Sequence, residues 1–377
     1  MRLGTTEEDI AVADMVARFA PEQLGPKAAE LDESEASCTC HLPGLAELGV
    51  MGMNLPEAWG GPGVSPVAMI LSLVEIAKHC ASTASMIGAQ YLATDSILIG
   101  GDDAQRARWL PDAAAGRTLG GFALTEPRGG SNPADITTKA VREGEGYRIT
   151  GAKQFISNAG EADFLVVYAK TDPDAGHRGI SAFVVETKQG GVTVDKPEKL
   201  MGIRAAHAFA VTLDVWVPLD SRLGEEGTGF KTAMKVLDNS RLDVAGTCLG
   251  LSEAAFAAAA EHMGARQVGG HPIGDFQGLQ FMLADMKLRL EASWGLTMQA
   301  LANRMAGERY TLEASLAKLH ASETAAFVTD RALQIHGGYG FTRELPLERY
   351  ARDARIMRIY EGSSEIQRSI IARQAMR

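Results

Sequence analysis

A lone carboxylate, Glu361, stands in the run Ile359-Tyr360-Glu361-Gly362-Ser363-Ser364-Glu365-Ile366, between an apolar stretch and the start of a helix. A carboxylate fixed on a tight turn is a candidate general base. Ser364 followed three residues later by Gln367 has capping-box spacing, so the sequence predicts a helix entered at Ser364, with Gly362 making the bend before it. The same glutamate has a purely structural reading, because a negative charge beside a helix N-terminus is favourable against the macrodipole. The run by itself leaves both readings open.

Two further segments could hold a flat, charged ligand. In Phe122-Ala123-Leu124-Thr125-Glu126-Pro127-Arg128-Gly129-Gly130-Ser131-Asn132, Thr125 and Ser131 offer hydroxyls, and the paired glycines let a ligand lie directly on the backbone. That lining suits a ring edge and a pyrophosphate; the alternative is a Gly-Pro loop between domains. In Phe155-Ile156-Ser157-Asn158-Ala159-Gly160 an aromatic at a strand end could lie against a ring or belong to a core. Cys38-Thr39-Cys40-His41 resembles a fragment of a metal site, but zinc needs four ligands and commonly a two-residue spacer, so a reduced loop is expected and no metal. A G-x-G-x-x-G after a strand, a P-loop, a HExxH helix and a G-x-S-x-G elbow are all missing, so a nucleotide must be held by turns and helix ends outside those motifs.

The elements that must position these residues fall into three stretches. Up to about residue 118 the chain reads as helices, including Pro66 to His79 and Ala84 to Ile99, with Gly60-Gly61-Pro62 and Gly100-Gly101 as punctuation. From about 119 to 225, runs such as Phe164-Leu165-Val166-Val167-Tyr168 and Ala210-Val211-Thr212-Leu213-Asp214-Val215 read as strands of an antiparallel barrel or sandwich. From Gly229 onward long helices return, and Arg241 to Met263 carries enough Ala and Gly for close helix packing. The expected domains are 1-118, 119-227 and 228-377, an α+β multidomain fold.

At 377 residues such a chain has room for several domains and a buried pocket. Hydrophobic residues at 46% and charged residues at 22% are an ordinary globular balance, and the net charge of -10 without any Lys/Arg run excludes nucleic acid and an anionic membrane as natural partners. The opening residues lack the layout of a signal peptide and no uncharged apolar run reaches membrane-spanning length, so a cytoplasmic protein is expected.

The order of these segments resembles that of the acyl-CoA dehydrogenases. The resemblance covers nearly the whole chain: the LTEP-x-GGS segment, FISNAG, Met201-Gly202-Ile203-Arg204, Pro272-Ile273-Gly274-Asp275-Phe276-Gln277, Gln334-Ile335-His336-Gly337-Gly338-Tyr339-Gly340, Arg352-Asp353-Ala354 and the final YEGSSEIQR. It implies an N-terminal helical domain, a middle antiparallel β-barrel and a C-terminal four-helix bundle, assembled as a homotetramer or at least a homodimer. It implies FAD lined by Phe122, Leu124, Thr125, Gly130, Ser131, Phe155 and Ser157, with Ser363 and Glu365 from the same turn as the base. Arg266, Gln334, Gly337 and Gly338 would reach the cofactor from a neighbouring subunit. Glu361 falls on the base that takes the α-proton of an acyl-CoA while hydride leaves the β-carbon for flavin N5, giving a trans-2-enoyl-CoA. The thioester carbonyl would be polarised by the backbone N–H of the same Glu and a flavin ribityl hydroxyl.

By the same resemblance Ser131, Asp238, Arg241 and Gly362 join Glu361 at the substrate, and electrons pass to an electron-transferring flavoprotein in fatty acid metabolism. Some members carry the base just before the residue matching Arg241; here that position is Ser240, which cannot serve. For Asp238 and Arg241 a surface i, i+3 ion pair is the alternative. A related flavoenzyme acting on a carrier-bound or modified acyl group, and a non-catalytic scaffold, are the other readings of the chain. It departs from the family pattern at Phe155 (usually Trp), Asn132 (Asp), Ser363 (Thr) and in Arg266-Gln267-Val268-Gly269-Gly270, where R-x-Q-F-G is usual.

Overall fold

Capping chemistry sets where the first helices begin. The computed structural model describes residues 4–376. α1 (Glu7–Gln23) starts in a Thr6/Asp9 capping box and is followed by α2 (Gly25–Ser34) and α3 (Leu42–Glu47). α4 (Pro66–His79) is capped by Ser65 with proline in its first turn, where a missing N–H costs nothing. α5 (Ala81–Gly100) follows after Cys80, and α6 (Asp103–Ala114) opens on an Asp102/Gln105 capping box. Gln105 also donates to the carbonyls of Asp220 and Arg222 at 2.6 and 2.8 Å, tying α6 to the β region. Buried Gln90 on α5 makes a second tie, accepting from the Gly120 N–H at 2.5 Å.

The middle of the chain forms β1 (Gly120–Ala123), β2 (Lys139–Glu143), β3 (Gly146–Ser157), β4 (Phe164–Lys170), β5 (Ile180–Glu186), β6 (Val192–Val194), β7 (Ala208–Pro218) and β8 (Arg222–Leu223). They make one eight-stranded sheet in the order β6-β7-β3-β2-β4-β5-β8, with β1 also on β4. The expected antiparallel pairing holds for most neighbours, but β1 and β2 run parallel to β4. The six residues Phe164 to Ala169 of β4 are all buried, so their apolar run has no alternation from which strand sense could be read. β3 shifts register between Lys153 and Ile156, a bulge in which Phe155 takes a left-handed φ of 57° and ends 61% exposed.

The last stretch holds α7 (Gly229–Ala265), α8 (Gln277–Met305), α9 (Thr311–His336), α10 (Leu347–Ile356) and α11 (Ser364–Ala375). α7 packs on α9, α4 and α5. At Gly250 an added Cβ would come within 2.4 Å of the Val74 carbonyl oxygen, so the expected close approach of small residues is realised between α7 and α4. By length and composition α7 is apolar enough to cross a membrane, yet 72% of its most apolar window is buried in protein, as a core helix requires. The Met201-to-Arg204 segment docks on α10: the Ile203 N–H donates to Asp353 at 2.5 Å, and Arg352 bridges Asp32 of α2, Glu348 and the Met201 carbonyl.

Candidate active site

The chain bends sharply between α10 and α11. Glu361 and Gly362 both lie in the left-handed region, with φ of 52° and 87°. For a non-glycine residue that conformation costs on the order of 1–3 kcal/mol and persists only where its surroundings impose it. Here they do. Lys318, in the middle of α9, donates to the Gly362 carbonyl at 2.7 Å, and the Gln367 amide donates to the carbonyls of Glu361 and Gly362 at 3.0 and 3.1 Å. The helix starts one residue earlier than expected: the cap is Ser363, directly after the two left-handed residues, and its hydroxyl accepts from the Ile366 N–H at 3.4 Å. Ser364, expected as the cap, is instead the first residue of α11 and donates to Glu323 at 2.7 Å.

Among the described residues the Glu361 side chain receives one hydrogen bond, from the Ser240 hydroxyl on α7 at 2.9 Å. Burial pushes its carboxyl above the usual range, against the opposing pull of Ser240, Lys318 and Arg241. Lys318 is itself pressed down to about 8 by burial. The Glu361 N–H donates to no protein acceptor among the described residues. Arg241 and Asp238 do form an i, i+3 ion pair, at 2.5 Å, but a buried one beside the turn, with Thr311 also donating to Asp238 at 2.7 Å.

The LTEP-x-GGS segment is fixed by one saturated carboxylate. Glu126 accepts from the N–H and hydroxyl of Thr137 at 2.6 and 2.7 Å, from those of Thr138 at 2.9 and 2.6 Å, and from Lys153 at 3.0 Å. Burial alone would raise its pKa, but these partners outweigh it and hold it at about 2. Lys153 also donates to the Leu124 carbonyl, and the Gln154 N–H to that of Thr125, so the loop is tied along β3. Phe122 is half-buried on β1 against Tyr168, and Thr125 and Ser157 keep partial exposure. Gly129, Gly130 and Ser131 are exposed, and Phe155 presents its ring to solvent at the bulge. Exposed backbone, three hydroxyls and an unpaired aromatic face are what a flavin and its diphosphate need, so these residues fit FAD.

Other expected residues are not brought to this place. Arg266 caps the far end of α7, roughly 39 Å from Ser240 by a rise of about 1.5 Å per residue. Gln334, Gly337 and Gly338 are exposed at the end of α9, and an added Cβ would meet nothing within 4 Å at either glycine. The departure after Arg266 is a hairpin: Gln267-Val268 pairs with His271-Pro272 around Gly269 and Gly270, both with positive φ, leaving Val268 52% exposed. Glu365 is exposed in the first turn of α11, next to the Ser363 cap. At the remote Cys38-to-His41 segment the imidazole Nδ1 meets the Thr83 hydroxyl at 2.9 Å.

Sequence reasoning missed Lys318, the Glu126–Lys153 anchor and the positive part played by Ser240. Lys318 had a signal: a single cation between alanines and leucines on a helix that is otherwise apolar there.

Comparison with known proteins agrees along the whole chain. Three family models match: acyl-CoA dehydrogenase, N-terminal domain (residues 6–117), middle domain (121–215) and C-terminal domain (227–376). The short-chain-specific acyl-CoA dehydrogenase of Clostridium acetobutylicum is 38% identical over 379 residues, covering all of both chains. Butyryl-CoA dehydrogenase from Megasphaera elsdenii superposes with a TM-score of 0.97 at 36% identity, with complete coverage of both chains. A chain from the structure of the electron transferring flavoprotein of Acidaminococcus fermentans, described in terms of flavin-based electron bifurcation, gives 0.97 at 37%, again with complete coverage.

Proposed function

Since the chain belongs to the acyl-CoA dehydrogenase family, enzymes acting on CH–CH groups with FAD as cofactor, we propose that it converts an acyl-CoA thioester to the trans-2-enoyl-CoA with Glu361 as the α-proton base. The observation that carries this reading is the state of Glu361: a carboxyl raised by burial, held on a strained turn and engaged by a single hydroxyl. A base is most effective when its pKa approaches the working pH, and burial moves a carboxylate that way. The strained backbone aims the side chain across to α7, and the unpaired Glu361 N–H is placed to donate to a thioester carbonyl, which makes the α-proton acidic enough for a carboxylate. Lys318 and Gln367 hold the turn in place by fixing the two carbonyls that follow that amide. FAD, held by Thr125, Gly130, Ser131, Phe155 and Ser157, would supply the acceptor for the β-hydride. The Arg241–Asp238 pair beside the turn offers a guanidinium and a carboxylate to the CoA arm.

The remoteness of Arg266, Gln334, Gly337 and Gly338 from the turn supports their serving the FAD of a neighbouring subunit in a homodimer or homotetramer, with an electron-transferring flavoprotein as acceptor in the cytoplasm. Purified protein should be yellow and should bleach anaerobically on addition of a short acyl-CoA; a colourless protein, or a flavin that no thioester reduces, would end this reading. Arg266→Ala should lower both FAD content and oligomer stability, and unchanged values of both would remove Arg266 from the cofactor.

A further inference from the structure

The polar face of α7 continues past the residue that holds the base. Asn239, Ser240 and Asp243 lie on one face, at spacings of one, three and four residues. Asp243 is 5% exposed, and its Oδ1 is buried without any hydrogen-bond partner. Asp95, on α5, is 3% exposed, and both its oxygens are occupied, Oδ1 by the Asn54 amide and Oδ2 by the Asn239 amide, each at 2.7 Å. Burial, Asp95 and Glu361 all press the Asp243 carboxyl upward, and Arg304 alone opposes them. Tyr310 joins the cluster through its hydroxyl, which donates to Asn239 Oδ1.

Arg304 does not close this cluster. Its Nη1 is buried without a hydrogen-bond partner, and among the described residues no carboxylate pairs with it. Asn54 Oδ1 is likewise buried and unpartnered. Asp243 Oδ1, Arg304 Nη1 and Asn54 Oδ1 are thus three unsatisfied buried polar atoms on three separate segments, and the two carboxyls Asp95 and Asp243 share one cation, Arg304. A purely hydrocarbon chain entering this space would seal Asp243 against apolar surface with nothing to donate to it.

A donor that is also a cation satisfies Asp243 and removes the charge surplus together. Along α7, Ser240 and Asp243 are about 4.5 Å apart in rise, roughly the reach of a three- or four-atom chain from a carbon poised at Glu361. We propose that Asp243, with Asp95 behind it, is a cation subsite of the acyl pocket, so that the thioester taken by this protein carries a protonated amine a few atoms beyond its reacting carbons. The inference rests on the dehydrogenase reading, because it takes the acyl chain to run from Glu361 along α7.

The test is a matched pair of thioesters at neutral pH: 4-(dimethylamino)butyryl-CoA, which is protonated there, and its carbon isostere 5-methylhexanoyl-CoA, with butyryl-CoA as the short reference. Anaerobic flavin bleaching by the FAD-loaded protein should favour the amine over its isostere by about tenfold or more, the scale of one charge-assisted hydrogen bond. In Asp243→Leu, with FAD content confirming the fold, the preference should reverse; in Asp243→Asn it should shrink. Wild-type bleaching by 5-methylhexanoyl-CoA or butyryl-CoA in preference to the amine would overturn the subsite and leave the dehydrogenase reading standing, as would an unchanged ratio in Asp243→Leu. Bleaching by none of the three would sink both.

Discussion

Glu126 and Glu361 are the same side chain, each on a turn, shifted in opposite directions from the ordinary carboxylate value. Burial pushes both upward. What separates them is the donor count: two hydroxyls, two backbone N–H groups and an ammonium converge on Glu126, whereas one hydroxyl reaches Glu361. A carboxylate saturated in this way is locked in its charged form and has no lone pair free for chemistry, so it anchors. A nearly bare one is reactive because it is poorly solvated, and it needs an imposed backbone to stay where it is. The difference in direction lies in the donor shell of each residue, and conservative changes at either site can break it.

The largest effect is expected for Glu361→Gln, which keeps volume and much of the hydrogen bonding but removes the base. FAD and acyl-CoA binding should persist while flavin reduction falls by several orders of magnitude, since a positioned base commonly contributes about 10²- to 10⁴-fold and no second carboxylate stands at Ser240. Near-normal bleaching in stopped flow would reduce Glu361 to a helix-end charge worth on the order of 1 kcal/mol of stability.

Glu126→Gln should do the opposite, sparing the chemistry of whatever protein folds and taking stability. Removing one partner of a buried pair leaves the Lys153 ammonium uncompensated, with a typical cost of about 3–5 kcal/mol in denaturant unfolding. The pH dependence carries the same signature. Because Glu126 sits at about 2 when folded, below an ordinary glutamate, its contribution is complete above that ordinary value and is lost as pH falls toward 2. The variant should therefore show a flatter acid limb of stability than the wild type. Equal acid limbs would mean that Glu126 is not the anchor of its loop.

The sequence exposed these two glutamates unequally. Glu361 could be singled out because the segments around it keep their order and because a glycine follows it. The Glu126 shell could not, since Thr137 and Thr138 lie in the loop before β2, and Lys153 sits beside the bulge of β3, where the face of a side chain is unknown until the register is. Helices hide their polar partners in a different way. Lys318 meets Gly362 across 44 residues, and Asp95 meets Asn239 across 144, so each reads locally as one polar residue on an Ala-rich helix. The misplaced cap has a local cause: two adjacent serines follow Gly362, and the backbone turns helical directly after the first of them, so Ser363 and not Ser364 takes the capping role. Strand sense around β4 was lost because every inward and outward position there is apolar.

The smallest predicted change separates the two shells most cleanly. Ser240→Ala removes the one hydrogen bond that the described residues make to the Glu361 carboxylate, and such a bond stabilises the charged form. With it gone, burial acts against Lys318 and Arg241 alone, and the carboxyl pKa must rise further above the ordinary glutamate value. A hydrogen bond to a charged group is worth about 1.5–3 kcal/mol, so the shift should be about one to two pH units. The base works deprotonated, so the acid limb of the bleaching rate should move to higher pH by that amount, while the rate well above it changes little. Thr137→Ala at the other glutamate removes only one of several donors, and the acid limb of stability should hardly move. If Ser240→Ala leaves the acid limb of the rate in place, the proton-transferring group is not the carboxylate that Ser240 touches.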